Sequence, residues 1–358
     1  MNQSVAGAVP IEHAHLRDIR DLTLAELEAI ALAAGERSFR ARQVANWLWR
    51  RDAESFDAMH ELPASFRTFL KNNFKIDRLP VAQLARSADG TRKLLLRLAD
   101  GERIESVIIP TDGRVTLCIS SQAGCAMDCG FCATARMGLR RNLAASEILG
   151  QVIAARRELA GDETLTNYVF MGMGEPLANY PRLSRTLETM IADWGMGISP
   201  RRITVSTVGL VPMMERLLTE FQVNLAVSLH ATTDETRDRI APINRRYPLE
   251  ALLGACRELP LQRRRRITFE YVMLDGVNDS PEEARRLVKL LAPLRAKVNL
   301  IFFNPFTDAP FRPSPRQRVE DFQAILHKGN LTATIRESRG QDIAAACGQL
   351  YAEHAAAQ

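Results

Sequence analysis

The 358-residue chain predicts an α/β protein: an open, partial (β/α)6 barrel preceded by a small N-terminal helical module and a linking β-hairpin. Three observations carry that expectation. From Val115 onward, near-continuous apolar runs of strand length alternate with amphipathic helical stretches, the pattern of a parallel sheet covered by helices. Residues of chemical rather than packing character collect at the C-terminal ends of those runs, where barrel loops converge on a ligand. Between residues 22 and 76 the periodicity is helical.

Taken in order, residues 1–21 show no periodicity and are expected to be a flexible tail. A helical accessory module spans residues 22–78. Thr23 and Glu26 have capping-box spacing before Leu27, Ile30, Ala31 and Ala34, with Gly35 as the stop. A second helix, Ala41 to Arg51, puts Val44, Trp47 and Leu48 on one face, and a third surrounds Phe66 to Phe74. Arg40, Arg42, Arg50 and Arg51 punctuate the second helix. They either meet phosphates or form a solvated face neutralised by Asp52 and Glu54.

Residues 79–113 read as the hairpin: Leu94 to Leu98, a turn at Ala99 to Glu102, and Ile104 to Ile109. The barrel occupies 114–340. Its strands are Val115 to Ser120, Tyr168 to Met171, Ile203 to Thr207, Val223 to Ser228, Ile267 to Met273 and Val298 to Phe303. The helices between them are Ser146 to Leu159, Leu183 to Asp193, Pro212 to Thr219, Pro248 to Glu258 and Pro281 to Leu291. A last strand, Thr332 to Arg336, precedes a C-terminal segment, 341–358, read as a short Ala-rich helix containing Cys347. Arg263 to Arg266, just before a strand, read as a solvated loop, with an RNA contact as the minority alternative.

No apolar run approaches the roughly 18 residues of a membrane span. Met1 to Asp21 carries charges and lacks an apolar signal core, so a cytoplasmic protein with no membrane partner is expected. The six cysteines, half of them in one loop, argue against a disulfide framework. A formal net charge of +5 permits a polyanionic partner such as RNA without requiring one. Nothing marks a dimer interface, and a monomer is expected.

The chemistry centres on Cys125, Cys129 and Cys132, a C-x3-C-x2-C triplet. Closely spaced thiolates select zinc, copper(I) or iron–sulfur, and zinc normally takes four ligands, whereas no fourth Cys or His lies nearby. Three thiolates on a [4Fe–4S] cluster leave one iron open, and a small molecule with an amine and a carboxylate can chelate it. Buried structural cysteines are the bland alternative, but this spacing follows neither helix nor strand periodicity.

Around the triplet, Gly172 to Pro176 follows the second strand. Ser206 closes the third, Ser228-Leu229-His230 the fourth and Asn304-Pro305-Phe306 the sixth. Gly172 and Gly174 allow close backbone approach, and Glu175 can accept from a ligand ammonium. Ser206, Asn304 and His230 can bond carboxylate, ribose or adenine groups. His230 alone would more often be a core histidine; its alignment with the other strand ends argues otherwise. Cys256 reads as a small buried helix residue.

The cysteine loop, Phe131 before its last cysteine, and Gly172-Met173-Gly174-Glu175-Pro176 resemble the radical SAM superfamily. Thr116 to Gln122, Gly138 to Asn142, Phe170 to Pro176, Thr204 to Thr207, Ser228-Leu229-His230, Tyr271 to Asp275, Asn304-Pro305-Phe306 and Arg339 to Leu350 resemble, more narrowly, the RlmN/Cfr family of RNA adenine methyltransferases. Phe39 to Gln43 with Trp47 are similar to that family's accessory domain.

The resemblance implies a TIM-like barrel of the radical SAM type with one [4Fe–4S] cluster on Cys125, Cys129 and Cys132. S-adenosylmethionine would take the open iron, two molecules being consumed per turnover, against Gly174, Glu175, Ser206, Ser228, Leu229, His230 and Asn304. Adenine C2 is electrophilic, so ordinary attack on a sulfonium methyl is not available to it. The family's route would make Cys347 an S-methylcysteine, convert it to a methylene radical that adds to the ring, use Glu105 as proton acceptor, and release product by attack of Cys118 on Cys347 in a transient disulfide.

The implied substrate is C2 of an adenine in the peptidyl-transferase loop of 23S rRNA, with an adenine beside the tRNA anticodon as a further target. The alternative within the family is C8 methylation of the same rRNA adenine, which confers antibiotic resistance. An electron donor such as flavodoxin would feed the cluster. Two rivals lie outside the family. A radical SAM enzyme acting on peptide or small molecule would have no use for Cys118 and Cys347, and an RNA-binding module with structural metal would hold zinc rather than iron.

Overall fold

The computed structural model describes residues 16–351. The described residues up to Arg78, together with Asp193–Met196, form one compact unit, and the rest forms a second.

In the first unit, β1 (Arg17–Asp18) precedes α1 (Leu24–Ala33), α2 (Phe39–Trp49) and α3 (Ala64–Asn73), and β2 (Phe74–Lys75) pairs with β1 in parallel. The capping box is present: Glu26 N–H donates to Thr23 Oγ1 at 3.2 Å and Thr23 N–H to Glu26 Oε2 at 2.7 Å. Leu27 and Ala31, then Val44, Trp47 and Leu48, then Phe66 and Leu70 are buried, the faces that helical periodicity selects. The tail differs from expectation. Residues 1–15 lie outside the described residues, but Arg17–Asp21 is regular structure in which Asp18 and Arg20 form a buried ion pair at 2.6 Å. Burial raises the Asp18 carboxyl, against the lowering pull of Arg20. Such a pair interrupts apolar periodicity, which is why the pattern did not show it.

The α2 arginines have partners inside this unit. Arg40 bonds Gln43 and Glu36, Arg42 lies 3.8 Å from Asp193, Arg50 donates to the Asp193 and Gly195 carbonyls, and Arg51 pairs with Glu61 over the Trp47 ring.

The second unit is built on a ten-stranded mixed sheet. Strands β3 (Val81–Arg86), β4 (Arg92–Arg97), β5 (Arg103–Thr111) and β6 (Arg114–Cys118) are antiparallel to one another. A β7 (Gln122–Gly124), α4 (Ala133–Arg136), β8 (Leu139–Asn142) excursion follows, then α5 (Ala145–Arg157), β9 (Asn167–Phe170), α6 (Tyr180–Ile191), β10 (Ile203–Thr207), α7 (Val211–Glu220) and β11 (Asn224–Ser228). After these come α8 (Asp234–Ile240), α9 (Leu249–Glu258), β12 (Ile267–Met273), α10 (Pro281–Leu291), β13 (Ala296–Phe302), α11 (Arg316–Lys328) and β14 (Ala333–Arg336). From β6 through β9, β10, β11, β12 and β13 to β14 every pairing is parallel. The α/β architecture with its helical N-terminal module is therefore as expected.

Three local readings change. The hairpin read within 79–113 is present as β4 and β5, but β3 joins it and β5 pairs with β6, so the segment is continuous with the barrel sheet. Strand β3 is an edge with Val81, Ala82 and Gln83 exposed, so it lacks the alternation that marks a half-buried strand. Helix α11 was not foreseen, although Val319, Phe322 and Leu326 bury one face. Cys347 lies in turn rather than helix, because Ala344 (φ 49°) and Gly348 (φ 82°) take the left-handed conformation, which a helix cannot propagate.

Candidate active site

One cavity opens where the parallel strands end. Its lining includes Cys125, Cys129, Cys132, Gly174, Glu175, Ser206, Ser228, His230 and Cys347. Leu229 is fully buried beside it. Asn304 does not line it; its Nδ2 donates to the Cys347 carbonyl at 3.1 Å while its Oδ1 accepts from Gln341 at 2.8 Å. Cys118 also lies off the lining, buried at the end of β6, with Cys347 and Arg336 close enough to shift its thiol.

The cysteine loop is shaped by glycine. Gly124 (φ 76°) lies so near the strand opposite that a Cβ would stand 1.8 Å from the Gly138 carbonyl oxygen. Cys125 N–H donates to that same carbonyl at 3.0 Å, and Cys132 N–H to Cys129 O at 3.1 Å. Burial pushes the Cys118 and Cys125 thiols up to about 12 and raises Cys129 and Cys132 as well. A metal centre held by Cys125, Cys129 and Cys132 would displace their protons. Among the described residues no three Cys, His, Asp or Glu side chains converge on a single ion; a cluster takes one thiolate per iron.

Opposite the loop, Gly174 (φ 96°) packs where a Cβ would meet Gln122 at 2.5 Å, and Glu175 N–H donates to Gln122 Oε1 at 2.8 Å. Glu175 Oε2 accepts from Val208 N–H at 2.8 Å and its Oε1 from Leu177 N–H at 3.0 Å. Burial nevertheless pushes its carboxyl up to about 7.

His230 adopts φ 61°, uncommon for a non-glycine residue. Val272 N–H donates to its Nδ1 at 3.1 Å, so the proton sits on Nε2, which has no hydrogen-bond partner. Burial lowers its pKa to about 3, and the Phe131 ring meets it edge-on at 4.4 Å.

Three residues that sequence reasoning missed shape the same region. Fully buried Arg237 donates to the carbonyls of Val208 at 2.7 Å, Leu229 at 3.1 Å and Ser228 at 3.2 Å, fixing the ends of β10 and β11. Glu270 and Arg336 line the cavity. Glu270 Oε1 accepts from Asn299 at 2.9 Å and its Oε2 has no partner. Burial raises its carboxyl, partly offset by Arg336. A glutamate inside the apolar run Ile267 to Met273 was the available signal, since an unneeded buried carboxylate is costly.

Glu105 stands in a second cavity, with Lys93, Arg103, Arg136, Phe306, Gln349 and Tyr351. Only 3% exposed, it pairs through Oε1 with Lys93 at 2.8 Å and accepts the Tyr351 N–H on Oε2 at 2.8 Å. The wall between the cavities is made by α4 and the chain around Cys347. Ala133 N–H donates to Gly348 O at 2.7 Å and Thr134 Oγ1 to Leu350 O at 2.6 Å. Cys132, Thr134, Cys347 and Gly348 line the first cavity, and Ala133, Arg136, Ala344 and Gln349 the second.

Comparison with known proteins places this geometry. Residues 119–288 match the radical SAM superfamily, and residues 17–76 match the ribosomal RNA large subunit methyltransferase N-terminal domain. A relative from Syntrophobacter fumaroxidans, named dual-specificity RNA methyltransferase RlmN, is 50% identical over 94% of this chain and 98% of its own. One of the same name from Geobacter sulfurreducens is 52% identical over 93% of this chain and 91% of its own. A crystal structure of a radical SAM methyltransferase from Sphaerobacter thermophilus superposes with a TM-score of 0.89 at 48% identity, covering 94% of this chain and all of that one.

Proposed function

The chain belongs to the RlmN family of radical SAM RNA methyltransferases, and from that membership we propose that it methylates C2 of an adenine in the peptidyl-transferase loop of 23S rRNA and of an adenine beside the anticodon of tRNA. The observation that supports this best is that Cys347, remote in sequence, lines the same cavity as Cys125, Cys129 and Cys132. The relatives named above carry the dual-specificity name, and nothing in these comparisons favours the C8 alternative.

A reduced [4Fe–4S] cluster with bound S-adenosylmethionine, used twice per turnover, supplies a transferable methyl group and a 5′-deoxyadenosyl radical. Cys125, Cys129 and Cys132 would hold the cluster. Gly174, Glu175, Ser206, Ser228, Leu229 and His230 would surround the cofactor, Glu175 accepting from its ammonium. Asn304, bonded here to the Cys347 carbonyl, would orient the Cys347 turn as well.

Cys347 sulfur would carry the methyl group as a thioether; after loss of one hydrogen atom to the deoxyadenosyl radical its carbon bonds to adenine C2, and the unpaired electron left on the ring would return to the cluster that supplied one. Glu105 takes the ring proton from that position. Cys118, as thiolate, then attacks the Cys347 sulfur; the S–C bond breaks with its electron pair on carbon, which takes a proton to become the methyl group, and a disulfide closes. The register supports this grouping: Val107 faces Cys118 across β5 and β6, and Glu105, two residues along β5, has its side chain on the same face as Val107. An electron donor of flavodoxin type would reduce the cluster, and the protein would act as a monomer in the cytoplasm. No described helix is long and apolar enough to cross a membrane.

The test is mass spectrometry of nucleosides from rRNA and tRNA after anaerobic incubation of reconstituted protein with S-adenosylmethionine and reductant. 2-Methyladenosine in both RNAs is expected, and none with Cys347→Ala. Methyl on C8, or full turnover by the Cys347 variant, would overturn the reading.

A further inference from the structure

We propose that Glu270 is a cofactor-recognition residue whose Oε2 takes a ribose hydroxyl of S-adenosylmethionine, with Ser228 beside it on the neighbouring strand. The proposal rests on the reading above that this cavity holds that cofactor.

Among the residues lining the cavity, two buried polar atoms have no hydrogen-bond partner: His230 Nε2 and Glu270 Oε2. The first is a donor, because Nδ1 accepts from Val272 N–H; the second is an acceptor. Folding seldom leaves such atoms unmet, since each forfeits the water it bonded in the unfolded chain. A donor and an acceptor facing one cavity are complementary to a ligand that offers both.

Glu270 is held for this purpose. Asn299 Nδ2 anchors Oε1 at 2.9 Å, which fixes the carboxylate plane and leaves Oε2 as the unoccupied oxygen. Only 4% of the residue is exposed, and the positive partner in the lining is Arg336. The pairing register sets Glu270 directly across from Ser228, itself a lining residue. Two oxygens on adjacent strands match the vicinal hydroxyls of a ribose. An adenine edge matches them less well, because it alternates a donor amine with ring-nitrogen acceptors, and a carboxylate oxygen can serve only the donor.

The experiment measures binding of S-adenosylhomocysteine, and of its 2′-deoxy and 3′-deoxy counterparts, to the cluster-reconstituted protein by anaerobic calorimetry. Wild type is expected to bind one deoxy ligand about 10-fold more weakly or worse, as for loss of a hydrogen bond to a charged group. Glu270→Ala is expected to bind the parent ligand about 10-fold more weakly and to lose the discrimination. In Glu270→Gln the anchor to Asn299 is kept and the charge removed, so discrimination is expected to fall to about 3-fold. This second variant carries the test if the alanine variant folds poorly.

Equal binding of all three ligands by wild type, or undiminished discrimination in both variants, would overturn the proposal. So would a uniform weakening that leaves the discrimination ratio intact, which is what a merely structural role predicts. Failure of wild type to bind S-adenosylhomocysteine at all would instead count against the cofactor reading itself.

Discussion

In the cavity that Cys347 lines, His230 and Glu270 each keep one polar atom without a partner. In the cavity that Glu105 lines, Lys93 and Tyr351 already occupy both oxygens of its carboxylate. The two share a wall of α4 and the Cys347 turn, yet one keeps polar atoms unpartnered while in the other the central carboxylate already has a contact on each oxygen. The difference teaches where rearrangement has to occur. A glycine-fixed backbone with unfilled donors and acceptors needs little change to bind a small molecule. Each Glu105 oxygen already accepts one bond and keeps a second lone pair, so a substrate proton has to approach beside the Lys93 ammonium or the Tyr351 N–H, the latter carried by the C-terminal segment.

The largest effect expected from this contrast belongs to Glu105→Gln. Removing a general base typically costs about 10²- to 10⁴-fold in rate, so turnover should fall by that range. Affinity for S-adenosylhomocysteine should stay within about 2-fold, because the Glu105 side chain does not line the first cavity and its backbone contacts are unchanged by the substitution. Single-turnover rates and calorimetry on the same preparation check both halves. A parallel loss of ligand affinity would mean that the two cavities are energetically one.

A smaller effect tests how rigidly the first cavity is built. In Gly124→Ala the new Cβ meets the Gly138 carbonyl at 1.8 Å with φ at 76°, and no flexible side chain can swing aside. A destabilisation of about 3 kcal/mol is expected, together with a loss of more than about half of the reconstituted iron, since Cys125 bonds the same carbonyl. Gly138→Ala has nothing within 4 Å of its added carbon, so only backbone strain of about 1 kcal/mol applies. Iron-to-protein ratios and melting temperatures of the pair decide the matter, and equal behaviour would show that the loop yields freely.

Sequence alone made the cysteine triplet, the strand-end residues and the alternation of β6 to β14 legible, because each leaves a local signature. A metal loop breaks periodicity at Cys125, Cys129 and Cys132, and buried parallel strands such as Ile267 to Met273 are apolar runs. What stayed hidden depends on partners far apart in the chain. Arg237 bonds carbonyls on two neighbouring strand ends, and nothing in its own helix announces that role. Edge strand β3 lacks an apolar face because solvent takes one side of it. That Glu105 and Cys347 fall on opposite sides of one wall follows from contacts between α4 and the last residues, which no spacing rule encodes.

The smallest effect concerns the one imidazole in the first cavity. Burial, with help from the nearby Arg237 charge, lowers His230 to about 3, so in the folded protein it stays neutral and keeps its proton on Nε2. In the unfolded chain the same ring titrates near 6.5. As pH falls through that value the unfolded state gains a proton that the fold refuses, and stability drops by about 1.4 kcal/mol per pH unit until the folded value is reached. Between pH 7 and pH 5 the cost comes to about 2 kcal/mol. His230→Gln has no such proton, and its side-chain carbonyl can still accept from Val272 N–H. Unfolding of both proteins at pH 7 and pH 5 should therefore show wild type losing about 2 kcal/mol more than the variant. Equal losses would mean that His230 is already charged in the fold, and the cavity would then present a cation beside Phe131 in place of the neutral donor that its hydrogen bonding to Val272 implies.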